Sequence, residues 1–471
     1  MGTLYKPGEQ KIRPGVYRRY ENAGEKEVPK AMVGVFAIPV KADFGPLGEV
    51  KSFAFDEIED MKEMYGTSGT MDAAQALFDG GATKVYIYRL GSGGSIASVN
   101  VSSSENGVLA TLFTKYPTEG KYNVTAKASL KDPNVRELLI YDNTTLLETI
   151  QFDVSTNEKD ALVTAVNSKS KYLTAKAGDG AGQVANMANV ALAGGSAPTT
   201  TTESYSEAFL AFEAFSFNML VLDTCDTMVH SLAEAYIERI YQEGALSMVA
   251  LGEPITVPFD ERLAHAKAFD NEKVIYLGSG YKDTNGDILD GYLAIAKQAG
   301  IIGSLESNKS CVHTVVPGAV DLLEELKNSQ YEKAIKNGMV LLARNSKGEL
   351  WFDSGVNTLV NPNEEQDNGW KKIKRTAIRF EMFDRINRAI EPIVGKVNCD
   401  DIGVGDVVLA GQAVLDAMAS DNENKLFSNP TFAEDTDHKR GADYAHFVID
   451  AIDKDTLEKI YLRYRFRFSV E

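Results

Sequence analysis

The stretch Met32-Val33-Gly34-Val35-Phe36-Ala37-Ile38-Pro39-Val40 is a nearly continuous apolar run and decides the fold class of this 471-residue chain. A strand covered on both faces has this composition, because neither face meets water and its side chains need not alternate. Lys84-Val85-Tyr86-Ile87-Tyr88-Arg89 is predicted as a second strand, with helices between the two around 56–65 and 71–79. This spacing predicts strand–helix–strand units in a parallel sheet between layers of helices.

The same alternation resumes in the second half of the chain. Further strands are predicted at Met219–Asp223, Leu246–Leu251, Lys273–Leu277, Val312–Val316 and Met339–Arg344, with helices at 228–243, 259–269 and 289–299. Short loops between them indicate one mostly parallel, doubly wound sheet. Because a stretch of different character separates the earlier strands from the later ones, we predict a discontinuous α/β domain over 31–90 and 194–345.

The intervening stretch begins at the glycine-rich run Gly91-Ser92-Gly93-Gly94-Ser95. Short strands rich in Thr and Val follow at 99–102, 109–114, 122–128, 137–141 and 146–152. Turn residues separate them, as in small antiparallel β-sandwiches and barrels. A helix near 158–168 and a second glycine-rich run at 178–182 close the stretch, so we predict an inserted β-sandwich or barrel domain over 91–193.

Three further segments complete the organisation. Residues 346–459 are predicted as an α+β C-terminal domain. Its elements are helices over 371–389 and 406–419 and a strand at Tyr444–Ile452. Residues 1–30 are polar and rich in Pro, Gly and charge, so they cannot build a core and are predicted as an extended N-terminal arm. Residues 460–471 are predicted as a C-terminal strand or arm.

Composition excludes several classes of function. The formal net charge is −18, whereas a surface that contacts nucleic-acid phosphates needs a surplus of Lys and Arg. No uncharged apolar run reaches about 18 residues, so no membrane insertion is expected. Met1–Arg19 lacks the apolar core of a signal peptide. Three scattered cysteines, Cys225, Cys311 and Cys399, predict buried thiols in a reducing compartment.

Candidate catalytic residues are sparse. Ser68 lies in a turn between two helices and has no identifiable histidine partner. Of the five histidines, His265 and His313 lie in apolar contexts that are typical of core residues. His438 and His446 lie in a loop and a strand of the last domain. We therefore predict that the chain has no catalytic residue.

Two loops resemble ligand sites only in part. Asp283–Asp290 begins like a calcium loop, but Ile288 stands where that loop requires glycine, so a plain turn is predicted. Gly278-Ser279-Gly280 follows a strand as a phosphate loop does, but the Lys-Ser/Thr pair is missing. No metal and no cofactor are expected.

The C-terminal strand has the most informative local pattern, a strict alternation that predicts one apolar and one cationic face. The apolar side is Leu462, Tyr464, Phe466, Phe468 and Val470, and the other side is Arg463, Arg465, Arg467 and Ser469. Two interpretations stay open. The segment is either an edge strand of the chain's own sheet or a strand added to a neighbouring subunit's sheet, where the apolar face sets the register.

The helix over 371–389 is basic within an acidic chain. Its cations are Lys371, Lys372, Lys374, Arg375, Arg379, Arg385 and Arg388. They face only two acids in the same helix, Glu381 and Asp384, while apolar residues still supply a core-facing stripe. The cations form either a solvated face paired with the chain's own acids or a docking surface for an acidic partner.

Several segments together resemble the contractile tail sheath proteins of phages, phage-like bacteriocins and defective phages. They are Ile12-Arg13-Pro14-Gly15-Val16-Tyr17, Ala191-Leu192-Ala193-Gly194-Gly195, Tyr205–Phe217, Asn218–Val221, the basic helix and the closing aromatic–Arg strand. The resemblance implies a subtilisin-like α/β domain without a protease site, an inserted domain on the outer surface, and a C-terminal domain whose basic helix faces an inner tube. It also implies that Val16, Tyr17 and residues 462–468 add strands to neighbouring subunits.

This resemblance also implies the partners. They are copies of the chain in stacked, hexameric rings, the inner tail tube protein, and the baseplate and tail terminator proteins. The expected setting is a virion tail or phage-tail-like particle that is assembled in the cytoplasm of the bacterial host. Contraction of the lattice would drive the tube through a cell envelope. Two other hypotheses stay open: a doubly wound hydrolase or nucleotide-binding enzyme, and a monomeric binding protein whose β insertion is the working part.

Overall fold

The structure is a computed structural model that describes residues 28–154 and 157–467. The predicted arm residues Val16, Tyr17 and Phe468 lie outside these ranges. The described chain forms two compact units. The larger unit comprises the described residues of Met32–Asp384 and Ile452–Glu471, and the smaller unit comprises those of Met1–Ala31 and Arg385–Ala451.

The larger unit contains most of the regular structure. Its strands are β1 Val35–Val40, β2 Val50–Ala54, β3 Lys84–Arg89, β4 Ser98–Ser102, β5 Val108–Thr114, β6 Tyr122–Ala128, β7 Val135–Asp142, β8 Thr145–Asp153, β9 Leu173–Ala177, β10 Met187–Ala191, β11 Met219–Val221, β12 Met248–Leu251, β13 Val274–Leu277, β14 Tyr281–Asp283, β15 Ile288–Leu289, β16 Ala319–Leu322, β17 Met339–Val340, β18 Leu342–Arg344 and β19 Leu350–Phe352. Its helices are α1 Ile58–Tyr65, α2 Met71–Asp79, α3 Glu158–Lys169, α4 Thr202–Phe212, α5 Thr227–Gln242, α6 Phe259–Phe269, α7 Gly291–Gly303 and α8 Asn328–Lys336, with 3₁₀ helices at Phe55–Glu57 and Asn368–Lys371.

A seven-stranded sheet organises the larger unit, in the order β17-β13-β12-β11-β1-β3-β2. Its neighbours are parallel except for the antiparallel edge pair β2 and β3. The chain moves from β1 to β3 on one side and later returns to β11 on the other side. Phe36 and Ile38 pack on the face covered by α1, α2 and α7, while Ala37 packs on the face covered by α4, α5, α6 and α8. Residues 36–40 of the apolar run are therefore buried on both faces of the sheet, as predicted.

Two predicted strands differ from the structure. Val312–Val316 is not a strand: the chain turns at His313, whose φ of 61° interrupts an extended backbone, and only Val315 makes a bridge, to Trp351. His313 is exposed and stacks on Trp351 with ring centroids 3.8 Å apart, so the predicted core position was wrong. Met339–Arg344 is divided at Leu341 between β17 and β18, which belong to different sheets.

The inserted segment folds as two antiparallel sheets, β4-β5-β9 and β10-β6-β7-β8. Both sheets and α3 contribute to one apolar core, which includes Leu112, Val124 and Leu162. Alternating burial along β5 and β6 shows why the sequence pattern located these strands closely. Residues 284–287 form the predicted turn, between β14 and β15, and the Asp283 carboxylate accepts hydrogen bonds there from the backbone N–H groups of Asn285 and Asp287.

Two buried side chains join the insertion to the seven-stranded sheet. Arg89, at the end of β3, is fully buried and donates hydrogen bonds to the carbonyl oxygens of Ala42 at 2.8 Å, Gly45 at 2.7 Å and Pro117 at 2.9 Å. Phe44, on the loop after β1, belongs to the core of the insertion. Its ring lies 5.2–5.7 Å from three tyrosine rings of the insertion, those of Tyr116, Tyr122 and Tyr172.

Helix α9, Ile373–Ile390, begins in the larger unit and ends in the smaller one. The predicted domain boundary at 346 differs from this division, since Leu350, Phe352 and Ile373 belong to the core of the larger unit. The smaller unit also contains α10 Asp401–Ala419 and the strands β20 Thr431–Glu434 and β21 Phe447–Asp450. Helix α10 is long and apolar enough to cross a membrane by length and composition, but it also packs Val414 and Leu415 inside this unit.

Candidate functional site

The C-terminal segment 454–467 lies outside every strand and helix of the described chain. The apolar side chains of its alternating part are exposed to water: Leu462 is 75% exposed, Tyr464 76% and Phe466 84%. The rings of Tyr464 and Phe466 stack on the same side, with centroids 6.2 Å apart. Burial of one such side chain stabilises a structure by roughly 1.5–3 kcal/mol, so this segment has a strong tendency to acquire a partner.

Strands β20 and β21 form an antiparallel pair with Thr431 opposite Asp450 and Glu434 opposite Phe447. Within the described residues this sheet has two strands, so both of its outer edges lack a strand neighbour. An isolated pair of strands is marginally stable in water, and an unpaired edge is a template for a further strand. Acids outnumber cations around it: the acids are Glu434, Asp435, Asp437, Asp443 and Asp450, and the cations are Lys439 and Arg440.

Most cations of the basic helix already have contacts within the chain. Three of them pair with acids: Lys372 and Arg375 with acids of the C-terminal segment, and Arg385 with Glu423. Two donate hydrogen bonds to backbone carbonyls, Lys371 to Val360 and Arg388 to Lys30. Arg379 lies 3.8 Å over the ring of Trp370, and Lys374 is buried. Arg388 and Phe383 are exposed on this helix. Most of the positive charge of this helix is therefore engaged by contacts within the chain.

The acids that contact the start of α9 come from the chain beyond β21. Lys372 Nζ lies 2.6 Å from Asp455 Oδ2 and 3.0 Å from Glu458 Oε2. Arg375 donates from Nε and from a terminal nitrogen to the two oxygens of Asp453, each at 2.6 Å. Burial opposes the charge on Lys372, but its hydrogen bonds to the two acids outweigh this effect and raise its pKa. The sequence did not identify these acids, although they directly precede the alternating segment.

A second cluster of polar side chains lies at the carboxyl ends of the strands of the seven-stranded sheet. Asp223, just after β11, is 1% exposed and accepts hydrogen bonds from the hydroxyls of Thr70 and Tyr205, each at 2.6 Å. Lys41 Nζ lies 3.9 Å from the same carboxylate. Burial raises the pKa of Asp223, and the two hydroxyls and Lys41 offset this effect only in part. This carboxylate therefore connects segments on both faces of the sheet.

Replacing Asp223 by Asn is expected to change how stability depends on pH. The folded state holds the Asp223 proton to a higher pH than the unfolded chain does, where an aspartate has a pKa of about 3.9. Wild-type stability therefore falls as pH rises from about 4 through the raised pKa, and the Asn variant lacks this loss. Urea unfolding of both proteins across this range measures the difference, with the exposed Asp56→Asn as control. A difference that moves in the opposite direction would contradict the assignment.

The residues considered for catalysis have separate partners. Ser68 donates its hydroxyl hydrogen to Asp43, His265 Nδ1 lies 2.8 Å from Glu253 Oε2, within hydrogen-bond distance, and His313 stacks on Trp351. The structure gives none of the three a contact with another of them. His265 is half-exposed and not a core residue, contrary to the prediction. Within the described ranges, no group of three or more His, Cys, Asp or Glu side chains is arranged to hold a metal ion.

Comparison with known proteins identifies one domain. Residues 199–358 match the family model of the phage tail sheath protein central domain. An uncharacterised Bacillus subtilis protein, YqbK, is 24% identical over 391 residues, which are 79% of this chain and 78% of the relative.

Solved structures share the fold over nearly the whole length. The sheath tail protein of Desulfitobacterium hafniense has a TM-score of 0.69 at 17% identity and covers 93% of this chain and 100% of that one. The sheath tail protein of Listeria innocua has a TM-score of 0.67 at 16% identity, with coverages of 90% and 96%. The helical sheath of the anti-feeding prophage in its contracted state has a TM-score of 0.54 at 12% identity, with coverages of 97% and 99%.

Proposed function

We propose that the chain is the structural subunit of a contractile tail sheath, because its residues 199–358 match the family model of the phage tail sheath protein central domain. The observation that supports polymerisation most directly is the exposed, alternating segment 462–467, whose apolar side chains have no sheet within the described chain. An isolated soluble chain gains nothing from this exposure, whereas a chain that polymerises with its own copies buries it at every contact.

We propose that the C-terminal segment of one subunit adds a strand to the β20–β21 sheet of a neighbouring subunit. The open edges of that sheet supply backbone donors and acceptors, which give affinity independently of side chains. The apolar side of the segment would set the register, since a slip of one residue would turn that side to water. Arg463, Arg465 and Arg467 would face the acids around the acceptor sheet. Val16 and Tyr17 are proposed to act likewise from the N-terminal arm.

The contact to an inner tube is proposed for the C-terminal domain. Of the seven cations in the basic helix, Arg388 is the one whose side chain is exposed, so it is the residue of this set best placed to contact another protein. A polar, charged contact suits a surface that must release its partner, because ion pairs at an interface rim are weak. Hexameric rings, the tube, baseplate and terminator proteins, and assembly in a bacterial host cytoplasm into a tail or tail-like particle belong to the same proposal.

We further propose that the seven-stranded sheet and its helices form a subtilisin-like domain that is not catalytic, with the inserted domain on the outside of the particle. The parallel strand order and the helices on both faces support the subtilisin-like fold. The separate partners of Ser68, His265 and His313 support the lack of catalysis, since a nucleophile and its base must be in hydrogen-bond reach. The enzyme hypothesis has no support in the family or in the fold neighbours.

Electron microscopy of the purified full-length chain tests the proposed function. We expect hollow, regularly striated tubes or stacked rings at high protein concentration, with a sedimentation coefficient far above that of a 51.4 kDa monomer. The test needs no partner, because strand addition between identical chains is a head-to-tail contact that continues as a helix or closes as a ring. A strictly monomeric protein at all concentrations and salt conditions, also with a tube protein present, would contradict the proposal.

A further inference from the structure

We propose that Lys372 and Arg375 form an electrostatic latch that holds the chain's own acidic segment, Asp453–Glu458, and so determines where the C-terminal arm leaves the larger unit. Both sides of this contact belong to the larger unit. The latch itself is a property of the single chain. Its role in controlling the reach of the arm rests on the proposed function.

The geometry of the contact indicates a specific anchor. Arg375 binds Asp453 through two parallel hydrogen bonds of 2.6 Å, the fork geometry that only a guanidinium offers to a carboxylate. The pair is largely buried, with 17% of the Arg375 side chain and 12% of the Asp453 side chain exposed. A bidentate pair of low exposure contributes more than an ordinary surface ion pair, since water and salt compete less for its partners.

The remaining contacts join this pair into a network. Lys372 bridges Asp455 and Glu458, and Arg375 also lies 3.2 Å from Asp367, which precedes α9. The hydrogen bond from Lys372 and the charges of Lys372 and Lys374 lower the pKa of Asp455 against the opposing effect of its burial. The network therefore holds the segment at three positions within six residues, Asp453, Asp455 and Glu458.

The charge pattern changes where the latch ends. After Glu458 the chain is exposed, and its acids are replaced by the cationic and aromatic residues of the arm. While the latch is closed, the arm pivots near Lys459. If it opens, the seven residues from Asp453 to Lys459 lengthen the reach of the arm by at most roughly 23 Å. These residues would let the arm stay paired with a neighbouring subunit while the spacing between subunits changes.

Limited trypsin digestion of the monomer at low concentration tests the latch. Lys454 lies inside the held segment and Arg463 lies in the exposed arm, so the two cleavage rates are compared within one molecule. Proteases need several extended residues, which an anchored segment does not offer. We expect the Lys372→Gln/Arg375→Gln double variant, which leaves the cleaved segment unchanged, to be cut about tenfold faster at Lys454 and equally fast at Arg463.

A matched control removes the same charge elsewhere. Lys51→Gln/Lys62→Gln breaks two exposed ion pairs, with Glu49 and Glu59, and should leave both rates unchanged. An unchanged Lys454-to-Arg463 ratio in the latch variant, or an equal rise in the control, would overturn the latch. If the latch variant does not fold, the wild type decides: raising salt to about 1 M must accelerate cleavage at Lys454 selectively. Failure of the wild type to polymerise would instead contradict the proposed function and leave this result intact.

Discussion

Removing residues 462–471 is expected to abolish polymerisation while leaving the folded subunit intact. Within residues 28–154 and 157–467 this segment pairs with no strand, and Leu462, Tyr464 and Phe466 are largely exposed to water, so no described core contact is lost. In the polymer these three side chains would each contribute roughly 1.5–3 kcal/mol through burial. Their loss would raise the concentration needed for assembly by about a thousandfold or more. Sedimentation velocity and negative-stain microscopy measure this.

A pair of variants distinguishes strand addition from a non-specific sticky tail. Leu462→Ser/Tyr464→Ser/Phe466→Ser removes the apolar side and should prevent assembly as the truncation does. Arg463→Gln/Arg465→Gln/Arg467→Gln keeps the apolar side and the backbone bonds. It should weaken assembly less and reduce its dependence on salt. If polymers survive the truncation, strand addition is wrong even though the match of residues 199–358 to the sheath family model stands. A drop in the melting temperature of the monomer would show that the segment has a role within the subunit.

Arg89→Met is expected to cause the largest loss of stability of any single change considered for this chain. The guanidinium is fully buried and satisfies three carbonyl oxygens, those of Ala42, Gly45 and Pro117. Burial disfavours its charge and lowers its pKa to about 10, which is still far above neutral pH, so the group donates these bonds as a cation. Met fills much of the volume but leaves the acceptors unpaired, at about 1–3 kcal/mol for each buried group.

We therefore expect a loss of about 3–5 kcal/mol in the free energy of unfolding. Chemical denaturation measures it, followed by fluorescence and by far-ultraviolet circular dichroism. The matched control is Arg239→Met, which removes an exposed arginine paired with Glu213 and Glu243 and should cost less than about 1 kcal/mol. Equal effects of the two substitutions would contradict the role assigned to Arg89. Phe44→Ala should also lower the free energy of unfolding, because it opens a cavity among three tyrosines of the insertion.

Segments whose structure depends on local pattern were predicted well. The strand at 84–89 and the helix at 71–79 agree with the structure to the residue, because the strand's apolar run and the helix's apolar periodicity each arise within one segment. The strands between the two glycine-rich runs were predicted in the same way, from local alternation of apolar and polar residues. Val312–Val316 failed for a non-local reason: its residues favour a strand, but the turn at His313 is stabilised by stacking on Trp351.

For the residues proposed to act in assembly, the sequence likewise shows the local pattern but not the partners. The alternation over 462–467 is visible in the sequence, and so is the positive charge of residues 371–388. The partners of that charge were not visible, since Lys372 and Asp455 are 83 positions apart. Arg89 and Phe44 gave no signal either, because a lone arginine and a lone phenylalanine occur in many contexts. Only the folded chain shows that one holds three carbonyls and the other fills a neighbouring core.

The amino-acid sequence by itself determined the α/β framework, the short strands between the two glycine-rich runs and the alternation of apolar and cationic residues in the C-terminal segment. Each of these follows from periodicity, which sets the side of a strand or helix that avoids water. Only the tertiary structure decided that Lys372, Arg375 and Arg385 pair with the chain's own acids and that residues 462–467 join no sheet of the described chain. Ion pairs and strand pairing act through space at a few ångströms, so their partners depend on how distant segments meet and not on any local pattern.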